Sequence, residues 1–328
     1  LKIVFFIRKR QAGYNSIEEV FNTLIPLLGE SVRIARVQLL FKSTIIGLIV
    51  NWISSINIRA DILHITGDVH YLAFFKKPPL IITVHDLHSI FKGSTLGIKI
   101  KKWLWVTRPF NKARHLVAIS ESTKSEIVQL MPEIREKISV IPNPVSPVFK
   151  LSLKSESNGC PTILHVGTAN HKNLEKVIVA LQNEEIELLI LGILSNQQNS
   201  LLKESGIKYK TFSLLPYEKV YELYKRSDVV SFPSLYEGFG MPIVEAQAVG
   251  RPLLTSDLPA IKDIAGTGAL FVDPHSIDDL KHGFKELINN AELRNQLVSN
   301  GLDNVTRYNA RKVADQYLSL YREVVYRT

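Results

Sequence analysis

The chain of 328 residues contains one cysteine, Cys160, so no disulfide can form within it. That usage fits a reducing compartment and a fold held by its own cores. Long apolar runs are also missing. The longest candidate, STIIGLIVNWISSINI (43–58), is interrupted by Asn51, Ser54 and Ser55 and is too short to span a bilayer, so a buried helix is expected there. No signal-peptide cleavage pattern follows the opening LKIVFFIRKR, which reads as a strand and a basic turn. No G-x-G-x-x-G follows a strand, and AGTGALF (265–271) has neither its spacing nor its position; this excludes the common dinucleotide fingerprint of dehydrogenases. No D-x-D occurs. His64, His70, His85 and His88 lack partners at metal-ligand spacing, so no metal site is expected. Acidic residues are absent from the whole interval between Asp86 and Glu121. It holds seven basic ones: Lys92, Lys99, Lys101, Lys102, Arg108, Lys112 and Arg114. Much of the net charge of +9 is therefore one local patch, which points to an anionic surface rather than a generally basic, nucleic-acid-binding protein.

What is present is an alternation of short β-branched runs with helical patterns. Strands are expected at 2–7, 32–37, 61–66, 80–87, 115–120 and 138–143, with helical spacing at 16–28 and 121–131 between them. Several strands are apolar without alternation, as suits a parallel sheet covered on both faces. NPVSPVFKLSLKSESNGCP (143–161) has no periodic face and reads as a linker. A second series of strands follows at 162–167, 186–192, 210–215, 228–234, 252–257 and 269–273, and 310–326 reads as a final amphipathic helix. The fold class is thus α/β: two doubly wound, Rossmann-like domains facing a central cleft. Their expected bounds are 1–148 and 149–309, with 310–328 packing back toward the first.

The most informative stretch is YEGFGMPIVEA (236–246). Two glycines and a proline precede the helix that carries Glu245, and the stretch follows the apolar strand DVVSFPS. Pro242 suits the first helical turn and Gly250 the helix end. Ligands of open α/β sheets bind at the carboxyl ends of strands. The amides of Gly238, Phe239, Gly240 and Met241 would there face a ligand's oxygens at the positive end of a helix dipole. Glu237 in the turn and Glu245 in the helix could each grip paired hydroxyls, as of a sugar or ribose. Asp68 and His70, in TGDVHYLAFF (66–75), lie just past a strand end and are open to a cleft role or to ordinary capping.

EGFGMPIVE is an E-x7-E motif, and the stretch from SLYEGFGMPIVEAQAVG to ALFVDP resembles the donor half of retaining glycosyltransferases of family 4, with the GT-B fold. ILHVGTANHKNLEKVI (163–178) and YELYKRSDVVSFPS (221–234) resemble the preceding segments; TVHDL, AISESTKSEI and ISVIPNPVSPVF occupy the family's order in the first domain. The resemblance covers nearly the whole chain. It implies transfer of a sugar from a nucleotide-diphosphate donor to an acceptor hydroxyl with retention, without a metal or other cofactor. It further implies that Glu237 and the Gly238–Gly240 amides hold the donor sugar, that Glu245 meets the ribose, and that Lys172, followed by Asn173, neutralises the diphosphate. His85 would reach the donor sugar from the first domain, and the loop containing Gly13 would line the phosphate side. Thr168 stands where many relatives carry an arginine, with Lys208 or Lys210 as candidate substitutes. Acceptors in this family are often saccharides linked to lipid, in polysaccharide, lipopolysaccharide or glycolipid assembly. The implied location is therefore cytoplasmic, peripheral on the inner membrane face, through segment 91–114 and its tryptophans. A nucleotide-sugar 2-epimerase of the same fold and a non-catalytic sugar-binding protein are the alternatives. Product analysis separates them.

Overall fold

In a computed structural model, residues 1–8, 16–39, 45–55, 58–74, 79–87, 95–153 and 159–326 are described. Two compact units emerge. One holds the described residues up to Pro144 together with the helix that starts at Ala310; the other holds Val145–Asn309.

The first unit is built on six parallel strands: β1 (Lys2–Ile7), β2 (Arg33–Gln38), β3 (Ile62–Ile65), β4 (Leu80–Val84), β5 (His115–Ala118) and β6 (Ile138–Val140), in the order β2-β1-β3-β4-β5-β6. β3 and β4 are buried at every position, the burial that their unbroken apolar runs predict. The final helix, Ala310–Tyr326, belongs to this unit. It buries Val313, Ala314, Tyr317, Tyr321 and Val324 at helical spacing and packs along the helix Ser16–Gly29. Its two buried tyrosines carry the helix into the polar heart of the sheet. Tyr321 Oη lies 2.7 Å from His64 Nδ1, Thr83 Oγ1 lies 2.8 Å from His64 Nε2, and Tyr317 Oη lies 3.2 Å from Thr83 Oγ1.

One departure from the sequence reading and one agreement with it concern this unit. The expected buried helix forms over Ile45–Ser55, but Ile49 and Ile53 are 53% and 57% exposed. Asn51 is buried and donates to the Tyr71 hydroxyl at 3.0 Å, so the helix lies on His70–Phe74 with Ile49 and Ile53 outward. The basic segment divides as its apolar residues on several faces suggest. The helix Thr95–Lys102 runs into a π-helical turn, Trp103–Thr107, and a short helix, Arg108–Lys112. Val106 and Phe110 are buried, while Ile100 and Trp103 are 52% and 48% exposed.

The second unit repeats the plan: β7 (Thr162–Val166), β8 (Glu187–Leu191), β9 (Lys208–Phe212), β10 (Val229–Phe232), β11 (Leu253–Ser256) and β12 (Leu270–Val272), all parallel, in the order β12-β11-β10-β7-β8-β9. The stretch read as a linker is anchored to this unit. Phe149 is buried edge-on against the rings of Tyr217, Tyr221 and Tyr224, and Arg251 Nη1 donates to the Ser152 carbonyl at 2.8 Å. Lack of periodicity marked it as irregular, and irregular chain can still pack.

Candidate active site

In the second unit the chain winds from β7 through β8 to β9 in one direction and from β10 through β11 to β12 in the other. β7 and β10 are neighbours, so the loops at their carboxyl ends diverge to opposite sides. Such a switch point is where open α/β sheets take ligands.

The loop after β7 begins at Gly167, with φ of 98°, where a Cβ would stand 2.7 Å from Lys172 Cγ. Glycine thus lets the lysine stem fold back over the strand end. A short 3-10 turn, Asn170–Lys172, and left-handed Asn173 then lead into the helix Leu174–Ala180. The loop after β10 turns at Gly240, φ 89°, where a side chain would collide with Ile243 and Phe232. Helix Met241–Val249 starts there, with Pro242 in its first turn and Gly250 closing it, as the sequence indicates.

The two loops are joined at several points. Lys172 Nζ pairs with Glu237 Oε1 and lies 4.6 Å above the Phe232 ring. Asn173 Nδ2 donates to the carbonyls of Pro233 (3.2 Å) and Pro274 (2.7 Å), the Leu235 amide donates to His171 O at 2.8 Å, and His171 stacks on Tyr236 at 4.7 Å. Asn173 is therefore a brace between loops, with its amide directed at backbone. Thr168 is similarly engaged: its hydroxyl donates to Ile193 O at 2.7 Å and its carbonyl accepts from Gln198. Gly238, Phe239 and Gly240 form the turn before the helix that Met241 opens, with Phe239 buried edge-on against Tyr308 at 5.5 Å.

Glu245, which the resemblance assigns to a ribose, is fully buried, and Oε2 accepts from the Tyr224 hydroxyl at 2.7 Å. Burial, and then this carboxylate, push the Tyr224 phenol well above its ordinary pKa. Every residue of Met241–Val249 is buried, which no helical periodicity foretold. Of the lysines offered in place of the missing arginine, Lys210 is engaged elsewhere. Lys210 Nζ pairs at 2.9 Å with Glu187, a residue at the amino end of β8, where Arg226 joins it. The pair is remote in the strand direction from the Lys172 loop.

Sequence reasoning missed His165 and Ser234. His165 Nδ1 lies 3.1 Å from Ser231 Oγ, and its Nε2 has no hydrogen-bond partner among the described residues; the buried Ser234 hydroxyl has none either. Burial, reinforced by the Lys172 charge, brings the His165 pKa down to about 3. The available signal was a lone histidine within the apolar run TILHV.

His85 belongs to the first unit, at the carboxyl end of β4. It is buried, with Nε2 3.0 Å from the Thr66 carbonyl and its ring edge-on to Phe21, and burial holds its pKa at about 3. Since a carbonyl can only accept, Nε2 carries the proton and Nδ1 the lone pair. Gly13 and His88 lie outside the described residues. Among the described residues no three His, Cys, Asp or Glu side chains are grouped to hold a metal ion.

A family model described as Glycosyl transferases group 1 matches residues 152–303, and one described as Glycosyltransferase Family 4 matches residues 21–149. The chain is similar to the O-antigen chain mannosyltransferase RfbU of Salmonella typhimurium, 28% identical over 235 residues, 69% of this chain and 65% of that protein. It is also similar to the MMP alpha-(1->4)-mannosyltransferase of Mycolicibacterium hassiacum, 25% identical over 276 residues, 76% of this chain and 66% of that protein. The matches thus span just under two thirds of the length of these curated relatives. Among solved structures, the sucrose-phosphate synthase of Thermosynechococcus elongatus superposes with a TM-score of 0.80 at 15% identity, covering 100% of both chains. Anabaena HepE, solved with UDP-glucose, gives 0.76 at 14% identity, covering 98% of this chain and 99% of that one. These likenesses establish the fold as GT-B, two parallel six-stranded sheets with flanking helices.

Proposed function

The chain belongs to the group 1 glycosyltransferases of family 4, and from that premise we propose that it moves a hexosyl group from a nucleotide-diphosphate donor to an acceptor hydroxyl. The anomeric configuration is retained in this reading. The observation that carries it is the Lys172–Glu237 pair at the switch point of the second unit. The bond from the anomeric carbon to the diphosphate oxygen breaks, and a bond from that carbon to the acceptor oxygen forms on the same face. The acceptor's proton passes to the departing diphosphate. Lys172 leaves Glu237 to meet the diphosphate, where negative charge grows as the bond breaks. Glu237, released, accepts from hydroxyls of the donor sugar together with the Gly238–Gly240 backbone. Glu245 meets the ribose only by exchanging its bond to the Tyr224 hydroxyl. None of these roles calls on a metal.

Incubation with a panel of nucleotide sugars and candidate saccharide acceptors tests the proposal, with the mannosyl donors first because the relatives named above are mannosyltransferases. Free nucleoside diphosphate and a glycoside of unchanged anomeric configuration, read by NMR, are expected. An epimerised donor, an inverted product, or binding without turnover would each replace this reading.

We further infer that the first unit rests on an anionic membrane face during assembly of a lipopolysaccharide or related glycan. No described helix is long and apolar enough to cross a bilayer. Two outward apolar faces support interfacial contact instead: Ile49 and Ile53 on an uncharged helix, and Ile100 and Trp103 beside Lys99, Lys101 and Lys102. Apolar side chains sink into the headgroup boundary while lysines attract anionic lipid, each contributing about 1 kcal/mol. Co-sedimentation is expected with vesicles containing anionic lipid and not with neutral ones, with release by salt. Changing the three lysines together to glutamate should abolish it; unchanged pelleting of that variant defeats the inference.

A further inference from the structure

His165 interrupts the otherwise apolar end of β7, TILHV, and the sheet meets it at one point. Its partner in register on β10 is Ser231, whose Oγ lies 3.1 Å from His165 Nδ1. The ring is fully buried, two residues before the glycine over which the Lys172 stem folds back. Its Nε2 has no hydrogen-bond partner among the described residues. A histidine that only fills a core ordinarily has both nitrogens matched, as His64 has.

The polar contacts of this ring tolerate a positive charge on it. A serine hydroxyl can accept as well as donate, so the bond to Ser231 survives when Nδ1 carries a hydrogen. The Gly167 carbonyl stands near enough to favour the charged form. What keeps the ring neutral is burial first and the Lys172 ammonium second. Among the described residues, Lys172 is the charged group whose field the ring feels. Glu237 is bonded to Lys172. On the helices Tyr217–Arg226 and Met241–Val249 the Tyr224 phenol and Glu245 are bonded to each other. A diphosphate at Lys172 would reverse the sign of the field at His165, because it offsets the ammonium and brings negative charge in excess of it.

We propose that His165 supplies a second positive charge under the diphosphate, taking a proton from solvent as the nucleotide binds and returning it when the product leaves. The inference rests on the transferase reading in placing the diphosphate at Lys172. A donor diphosphate carries more negative charge than one lysine offsets, and the excess grows as the bond to the sugar breaks. Fully buried, the ring acts through its field and not by contact, so it adds to Lys172 and does not replace it. In a low-dielectric interior that field is felt more strongly than one from an exposed side chain at the same distance.

The test uses protein carrying 15N-labelled histidine, with UDP, GDP, ADP and dTDP as probes. In the free protein His165 should show one downfield, lone-pair nitrogen throughout the range from about pH 8 to about pH 6. Saturation with a nucleotide that binds should move that resonance upfield as pH falls through the same range. The expected change is about a thousandfold in proton affinity, or about three pH units. The resonance is assigned by its loss in His165→Gln or, should that variant not fold, by its displacement in Ser231→Ala. His165→Gln should also lower kcat about tenfold with KM little changed. Turnover of the unmodified enzyme should decline with rising pH through the ring's titration in the bound state, and the variant should lack that decline. Nucleotide binding that leaves His165 neutral overturns the proposal and leaves the transferase reading intact. A His165→Gln enzyme with unchanged turnover and pH profile does the same. Should none of the four nucleotides bind, both fall together.

Discussion

Lys172→Ala is expected to lower kcat by two to three orders of magnitude, the range seen when one group stabilising charge in a transition state is removed. The expectation rests on how little stands ready to replace it. The Thr168 hydroxyl is bonded to Ile193 O. Lys210 and Arg226 are drawn to Glu187. Arg251 spends its guanidinium on the carbonyls of Ser152, Tyr224, Lys225, Val249 and Gly250. In the proposed reading the charge pairs with a diphosphate whose negative charge grows as the bond breaks, so the loss should appear in kcat more than in KM. Glu245→Gln provides the contrast. It keeps a group that can accept from Tyr224, so the fold should hold while nucleotide affinity falls. Steady-state kinetics of both variants decide the matter. A Lys172→Ala enzyme within a few-fold of normal turnover means that the ion pair with Glu237 is structural and the diphosphate is met elsewhere.

Much of this was legible in the sequence because parallel strands buried on both faces leave unbroken apolar runs. All twelve strands were foreseen, each in place to within a few residues, and the helix Ala310–Tyr326 was foreseen over the same span. Gly240, Pro242 and Gly250 announced their turn and helix because each suits a backbone geometry or position other residues fill poorly. Side-chain destinations were another matter. The spacing of Glu237 and Glu245 says nothing about depth, and only the packing of Tyr224 against Met241–Val249 reveals that Glu245 is enclosed. Apolar content misled at Ile45–Ser55, where composition indicated burial and one buried asparagine decided which face turned inward. His70 was noticed for its place after a strand. Its hydrogen bond to the Trp105 carbonyl reaches 35 residues on, and no local pattern carries that.

Mild acid should unfold the first unit before the second. His64 and His85 in the first unit and His165 in the second each have a pKa brought down to about 3, burial being the largest cause. At His64 the penalty is one of solvation more than bonding. Both ring nitrogens already meet hydroxyls that could accept from the charged ring, at Tyr321 and Thr83. With folded pKa values depressed below the ordinary 6.5, the unfolded chain binds protons that the folded one refuses. The stability contributed by neutral histidines is therefore complete above pH 6.5 and is lost as pH falls from there toward 3. Between pH 7 and 4.5 each such histidine removes a few kcal/mol, on the order of 1.4 kcal/mol for each pH unit crossed between the two pKa values, so the first unit, with two of them, loses about twice what the second does, against typical domain stabilities of about 5–15 kcal/mol. The three tryptophans, Trp52, Trp103 and Trp105, all lie in the first unit, so their fluorescence reports on it alone. Followed from pH 7 downward in moderate urea, the tryptophan signal should change at a higher pH than the remaining far-ultraviolet circular dichroism. In His64→Gln the tryptophan transition should move to lower pH relative to the stability of that variant at pH 7, since one refused proton is gone. A single coincident transition, or urea midpoints that do not move between pH 7 and 4.5, would show that these imidazoles gain charge in the folded chain and are not sealed from water.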